Sequence, residues 1–189
     1  MPRPPVLPTI DWKEIHKSGK TFKIWLKDGE NADHVKKMKD KAENTVLTTE
    51  QEAYLESLSR TINVVIIAED WCGDVVRHVP VLERMAKCTK KLRTRYITRE
   101  QHPDVFVRFL TNGGEAIPKF VFLSNDFVEC GNWGPMPADH RRIISRGKAA
   151  GKGKEARERV SALYKADPNC EQVVREFFEL VEIAAAHHP

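Results

Sequence analysis

The chain has 189 residues, of which 41% are hydrophobic and 31% are charged, and its formal net charge is +4. That length allows one well-filled hydrophobic core, and the composition argues against a membrane-inserted or wholly disordered chain. The longest apolar run, residues 64–68, is only as long as a strand and cannot cross a bilayer.

The amino-terminal segment, residues 1–10, is rich in proline and has no continuous apolar stretch. A secretory signal requires such a stretch, so we expect an extended segment and a cytoplasmic protein. The cysteines lie far apart, without the close pairs of zinc sites, and in a reducing cytoplasm we expect free thiols. These cysteines are Cys72, Cys88, Cys130 and Cys170.

Three helices are predicted before the first strand, at residues 11–17, 31–41 and 48–59. The third begins with Thr48-Thr49-Glu50-Gln51, which is typical of a capping box. Residues 62–68 form an apolar run that predicts a buried strand. These helices therefore precede the sheet in the chain.

Residues 74–88 predict an amphipathic helix, because valine, leucine and methionine recur there at spacings of three and four. Pro80 lies inside this helix and should kink it, because proline lacks a backbone N–H. Trp71-Cys72-Gly73 separates the helix from the preceding strand. Cys72 is therefore expected at a helix N-terminus, where unpaired N–H groups and the helix dipole favour a thiolate.

The rest of the chain adds strands and then helices. The predicted strands are residues 92–98, 120–123 and 127–133, and the predicted helices are residues 103–110, 137–146, 153–165 and 169–186. A strand–helix–strand unit followed by a hairpin predicts an α/β fold with a mixed sheet flanked by helices.

Residues 45–145 resemble the thioredoxin superfamily. The resemblance rests on Trp71-Cys72-Gly73 after an apolar strand, on Pro80 in the following helix, on Ile117-Pro118 before a strand, and on Gly134 after the hairpin. It is greatest to a thioredoxin-like branch with Trp-Cys-Gly-Asp motifs and a Thr-Asn-Gly-Gly loop, here Thr111 to Gly114, before the Ile-Pro. It implies a thioredoxin-like core at residues 45–146, an N-terminal extension at 1–44 and a C-terminal helical extension at 147–189 packed on the core.

The resemblance also implies a site. Cys72 would be the catalytic nucleophile, and Ile117-Pro118 would be a cis-proline loop that pairs with substrate backbone. We expect substrate contacts from Trp71, Gly73, Asp74, Ile117 and Pro118. The family's second cysteine corresponds to Val75, and its buried acid to Ile66. The parts of a dithiol cycle are therefore missing, and we expect monothiol disulfide exchange with protein disulfides or with low-molecular-weight thiols such as glutathione.

Alternatives to this chemistry follow from the same residues. Asp74 places a negative charge beside Cys72 and opposes the thiolate, whereas Arg77 and His78 would offset that charge if they pointed toward the sulfur. A non-catalytic module that binds a protein or small molecule is the second hypothesis. The basic segment 141–159 could hold RNA or an acidic partner, but the sequence favours a solvated helix and linker balanced by Glu155 and Glu158. This segment lacks interleaved aromatic residues, so we do not expect nucleic-acid binding. The histidines lack paired metal spacing, and we expect no metal site and no cofactor.

Overall fold

A computed structural model of the chain describes residues 10–186. The predicted extended segment therefore lies almost wholly outside the described residues. In the described part a mixed sheet runs in the order β2-β1-β3-β4 and helices flank it. The strands are β1 (Ile62–Ile67), β2 (Leu92–Ile97), β3 (Lys119–Leu123) and β4 (Glu129–Trp133). This arrangement confirms the predicted α/β fold.

The helices occupy both ends of the described part of the chain and the connections between strands. They are α1 (Trp12–Ser18), α2 (Phe22–Lys27), α3 (Ala32–Asn44), α4 (Thr49–Ser57), α5 (Gly73–Lys87), α6 (Pro103–Phe106), α7 (Ala138–Ala149), α8 (Gly153–Ala166) and α9 (Glu171–Ala185). A short 3₁₀ turn, Val107–Phe109, follows α6. The capping box at Thr48 and Gln51 is present at the start of α4.

Strand β1 is the centre of the sheet. All six of its residues are buried, which explains why its sequence is uniformly apolar apart from Asn63. The Asn63 side-chain amide donates to the Ser124 carbonyl, so this buried polar group is satisfied. β1 pairs in parallel with β2 and antiparallel with β3, and β3 pairs antiparallel with β4.

Helix α5 packs its apolar face on one side of the sheet, and α9 adds to the core. Val75, Val79, Leu82 and Met85 of α5 are fully buried, in agreement with the predicted spacing. Phe177 of α9 lies between the rings of Phe120, Phe122 and Trp133. The helix that ends the described chain is therefore part of the core; the division of the chain at residues 44 and 146 stays a prediction.

The structure adds one helix to the prediction and shifts several element boundaries, two of them for clear local reasons. The sequence prediction lacked α2, a helix of six residues that begins at the N-cap Thr21 and buries Trp25 against Tyr96. The second hairpin strand starts at Glu129 instead of residue 127, because Phe127 has a positive φ of 62°. Helix α7 runs on through Gly147, which faces Ala156 of α8 so closely that a Cβ would approach the Ala156 Cβ to 2.3 Å.

The backbone conformation and packing of Gly134 leave no room for a side chain. Its φ is +126°, and a Cβ there would lie 2.0 Å from the Pro118 carbonyl oxygen. We expect Gly134→Ala to lower the free energy of unfolding by more than about 3 kcal/mol, or to prevent folding, because strain and overlap add. Urea unfolding measures this.

Gly151→Ala is the matched control. Its φ is also positive, +70°, but nothing lies within 4 Å of the added Cβ. It should cost only the left-handed penalty of about 1–2 kcal/mol. Equal losses in the two variants would contradict the close approach of residue 134 to Pro118.

Candidate functional site

Cys72 lies at the junction between β1 and α5. It is the N-cap residue of α5, with extended backbone angles, and its side chain is partly exposed. Because the helix begins at the next residue, the backbone N–H groups of Asp74 and Val75 point at the sulfur. The predicted placement of Cys72 at a helix N-terminus is therefore correct.

The loop before β3 meets Cys72 from the other side. The Ile117–Pro118 peptide bond is cis. The Cys72 thiol donates a hydrogen bond to the Ile117 carbonyl, with 3.5 Å between Sγ and O. Ile117 and Pro118 are both buried. The structure thus brings together Cys72 and the loop that the sequence comparison paired with it.

The environment of Cys72 favours the neutral thiol. Burial raises the pKa of the Cys72 thiol, and the nearby charges of Asp74 and Glu69 raise it further. The backbone N–H groups of Val75 and Asp74 lower the same pKa, but the net direction is upward. At neutral pH the sulfur is therefore mostly protonated, which leaves little of the reactive thiolate.

Asp74 is held by a residue from α8. Its carboxylate accepts a hydrogen bond of 2.9 Å from the Tyr164 hydroxyl, and Tyr164 also lies 3.2 Å from Nε2 of His78. Burial raises the pKa of Asp74, although the Tyr164 hydrogen bond opposes this. His78 is fully buried, and burial holds its pKa well below the usual value. The carboxylate beside Cys72 is thus fixed by the C-terminal helices.

Arg77 and His78 do not offset the charge of Asp74 at the sulfur. Arg77 stacks on the Tyr164 ring, 4.3 Å from its centroid, and donates to the Asp167 carbonyl. His78 packs edge-on against Trp133. Both side chains therefore point toward α8 and the core, because one helical turn carries them away from the N-terminus of α5.

Trp71 and Gly73 are exposed, but Trp71 faces a different region from the Ile117–Pro118 loop. The Trp71 side chain is 57% exposed and lies with Asp70 beside the start of α3. The Arg99 guanidinium sits over its ring at 5.4 Å and also pairs with Glu69 and Glu115. A ligand that contacts Trp71 and Ile117 together would have to span the Cys72 surface.

A cleft of about 770 Å³ opens beside Asp74 and Ile117. We call it the α7 cleft, because α7 forms one wall. Its lining residues come from distant parts of the chain: Asp74, Thr111, Asn112, Gly114, Glu115, Ala116, Ile117, Pro135, Met136, Arg141, Ile144, Ser145, Lys148 and Ala149. It is a concave surface lined in equal number by polar and apolar residues, and such clefts are the usual location of a ligand site.

Lys119 is buried directly behind this wall. Its ammonium donates to Oγ1 of Thr111 at 2.6 Å and to the Gly134 carbonyl at 3.0 Å, and Arg141 also donates to that carbonyl. Burial and the nearby Arg141 charge lower the pKa of Lys119 from 10.5 to about 8. Lys119 therefore ties the 111–114 loop to the segment after β4.

The sequence prediction did not place several residues at this site. Tyr164 carries no motif, and Arg141 and Lys148 were noted only as part of the basic segment 141–159. The packing of α7 and α8 reveals that they lie beside Asp74 and Ile117. Thr111 belongs to a Thr-Asn-Gly-Gly loop that the resemblance did point out. Within residues 10–186, no group of three or more His, Cys, Asp or Glu residues could hold a metal ion.

Asp74→Asn should lower the pKa of the Cys72 thiol. The substitution removes a negative charge next to the sulfur, while the amide oxygen can still accept the Tyr164 hydrogen bond. We expect iodoacetamide to alkylate Cys72 a few-fold faster at neutral pH, with the titration shifted downward. Asp40→Asn on the exposed face of α3 is the control. An unchanged or raised apparent pKa in Asp74→Asn would contradict this account of the site.

The lowered pKa of Lys119 predicts that the free energy of unfolding depends on pH. Between pH 8 and pH 10.5 the unfolded chain keeps the Lys119 proton and the folded chain releases it, so stability rises with pH. Relative to Lys119→Met, the wild-type free energy of unfolding should rise by about 1.4 kcal/mol per pH unit in that range. Urea unfolding measures this slope, with exposed Lys154→Met as control. A flat difference would show that Lys119 is not desolvated.

Among residues 10–186, no helix combines the length and apolar character that crossing a membrane would take.

Two solved protein structures are similar to this chain in fold. A crystal structure of a protein of unknown function, PA1234 from Pseudomonas aeruginosa, superposes with a TM-score of 0.68 at 17% identity, covering 92% of this chain and 98% of that one. An HIV epitope-scaffold, 4E10, gives a TM-score of 0.66 at 14% identity with the same coverage.

These two likenesses show the fold alone. No curated protein matches the sequence significantly. The family model described as Thioredoxin matches residues 19–157, which is more than half of the chain. The match includes β1 to β4, Cys72 and the Ile117–Pro118 loop. The chain therefore belongs to the thioredoxin family.

Proposed function

We propose that this protein carries out monothiol disulfide exchange through Cys72. The observation that supports this most is the position of the sulfur. It is partly exposed at the N-terminus of α5 and lies 3.5 Å from the Ile117 carbonyl, at the edge of the cis-proline loop. A disulfide that approaches this edge meets the thiol and the helix N-terminus together.

In the exchange step, the partner disulfide supplies both the bond that breaks and the thiolate that leaves. Cys72 loses its proton to solvent, and its thiolate attacks one sulfur of the partner disulfide. A new bond forms between Cys72 and that sulfur, the partner's S–S bond breaks, and the other sulfur leaves as a thiolate that takes a proton from water. The product is a mixed disulfide on Cys72 and one free partner thiol.

The mixed disulfide would be long-lived. Val75, at the position of a resolving cysteine, is a fully buried hydrophobic residue. Cys88 lies at the far end of α5, Cys130 on β4 and Cys170 at the start of α9, and Cys170 is buried. The raised pKa of Cys72 also makes it a poor leaving group. Release would need an external thiol, such as glutathione in the cytoplasm, where we propose that the protein resides.

A second function is favoured by the same raised pKa of Cys72. A sulfur that stays protonated and hydrogen-bonded to Ile117 suits a non-catalytic module that binds a protein or small molecule in the α7 cleft. In that case Cys72, which lies beside the cleft and is not among its lining residues, would form no bond to the ligand. The two functions differ in whether Cys72 becomes covalently modified.

Oxidised glutathione separates these functions. We expect incubation of the reduced protein with oxidised glutathione to add one glutathionyl group, mapped by mass spectrometry to Cys72, with slow formation and slow loss until dithiothreitol is added. Cys72→Ser should remain unmodified at that position, and Cys130→Ser is the control because Cys130 is also partly exposed. Modification spread evenly over the cysteines, or none on Cys72, would refute exchange and favour the binding module.

A further inference from the structure

The positive charge of this protein is concentrated beside the candidate site. Residues 141–159 contain eight Lys and Arg residues against two Glu, a net charge of +6, whereas the whole chain carries +4. The remaining residues are therefore slightly acidic in sum. These nineteen positions form most of α7 and the first part of α8, so the charge lies on one helical hairpin.

Helix α7 carries part of this charge into the α7 cleft. Arg141, Ile144, Ser145 and Lys148 line one wall, and their spacing of three and four places them on one face of the helix. Arg142 and Arg146 belong to the adjoining face, toward α8. One face of α7 therefore looks onto the surface next to Asp74 and Ile117.

Among the described residues, the two cations of the α7 cleft have no acidic partner. Of its two acids, one is paired with a cation and the other accepts a hydrogen bond. Glu115 pairs with Arg99 at 3.1 Å, and Asp74 accepts the Tyr164 hydroxyl. Within residues 10–186, no carboxylate lies within ion-pair distance of Arg141 or Lys148. The Arg141 guanidinium donates to the carbonyls of Gly134 and Met136. Because the hydrogen bond from the neutral Tyr164 hydroxyl leaves the charge of Asp74 in place, the lining sets two unpaired cations against that one carboxylate, and the cleft presents a net positive charge to a ligand.

We propose that the α7 cleft binds a partner-protein segment in which acidic residues are interspersed with apolar ones, and that this segment brings the partner's disulfide to Cys72. The proposal rests on the exchange function above and names its substrate class. Acidic side chains would meet Arg141 and Lys148, and apolar side chains would meet Ile144, Met136 and Pro135.

A peptide fits this cleft better than a nucleic acid does. The lining includes Ile117, Pro135, Met136 and Ile144 but no aromatic residue. Single-stranded nucleic acids are held mainly by aromatic stacking together with phosphate contacts. The cleft has cations for phosphate contacts but no aromatic ring for stacking. An extended peptide can use the apolar wall and the charges together.

Binding can be tested without the thiol. In the Cys72→Ser protein, we expect a fluorescein-labelled peptide of alternating Glu and Leu to bind at least about fivefold tighter than its Lys-for-Glu counterpart, and more weakly as salt rises. Lys148→Glu should weaken binding about fivefold. Lys154→Glu, an exposed cation of α8 outside the cleft, should change it less than about twofold.

Three results would overturn the proposal: equal affinity for the acidic and basic peptides, equal loss in the two lysine variants, or tighter binding of an RNA oligonucleotide of matched charge. A parallel reaction of the wild-type protein with disulfides of the same two peptides keeps the two claims apart. If neither disulfide modifies Cys72 although the acidic peptide binds, the exchange function fails and the cleft assignment stands. If both modify Cys72 at the same rate, exchange stands and the acidic specificity fails.

Discussion

The close packing of the Ile117–Pro118 loop against Gly134 is the constraint on which the site depends. The Pro118 carbonyl occupies the space that any side chain at residue 134 would need, and the buried Lys119 ammonium joins Thr111 to the Gly134 carbonyl. Arg141 donates to the same carbonyl. The loop, the end of β4 and the start of α7 therefore form one unit. That unit places the Ile117 carbonyl where it accepts the Cys72 thiol, and it sets one end of the α7 cleft.

Several local effects compete to set the protonation state of Cys72. A helix N-terminus alone would favour the thiolate, and two backbone N–H groups do point at the sulfur. Burial, Asp74 and Glu69 outweigh them, and the hydrogen bond to Ile117 uses the thiol proton. Asp74 stays in place because Tyr164 of α8 holds it. The same environment that slows attack also slows departure of Cys72 from a mixed disulfide, so the site is suited to prolonged attachment rather than rapid turnover.

Local patterns predicted the elements of the fold, whereas distant packing determined the site. The apolar run of β1 was sufficient to predict that strand, and the spacing of apolar residues was sufficient to predict α5, because each element buries a whole face. The six-residue α2 was missed because its burial comes from two residues, Trp25 and Leu26, that dock on another part of the chain. Cys72 and Ile117-Pro118 were placed together by resemblance to a family. The α7 cleft could not be foreseen, because its walls come from the start of α5, the loop before β3 and the chain after β4.

The pH dependence of disulfide exchange at Cys72 tests the central claim most directly. The account predicts that the second-order rate constant with a peptide disulfide rises about tenfold per pH unit through neutral pH, because only the thiolate reacts. It should not level off below pH 9, since the pKa of Cys72 is raised from 9.0. A plateau reached by about pH 7 would show a low-pKa thiolate of the dithiol-enzyme type, and a rate that stays at zero across the range would show that Cys72 takes no part in chemistry.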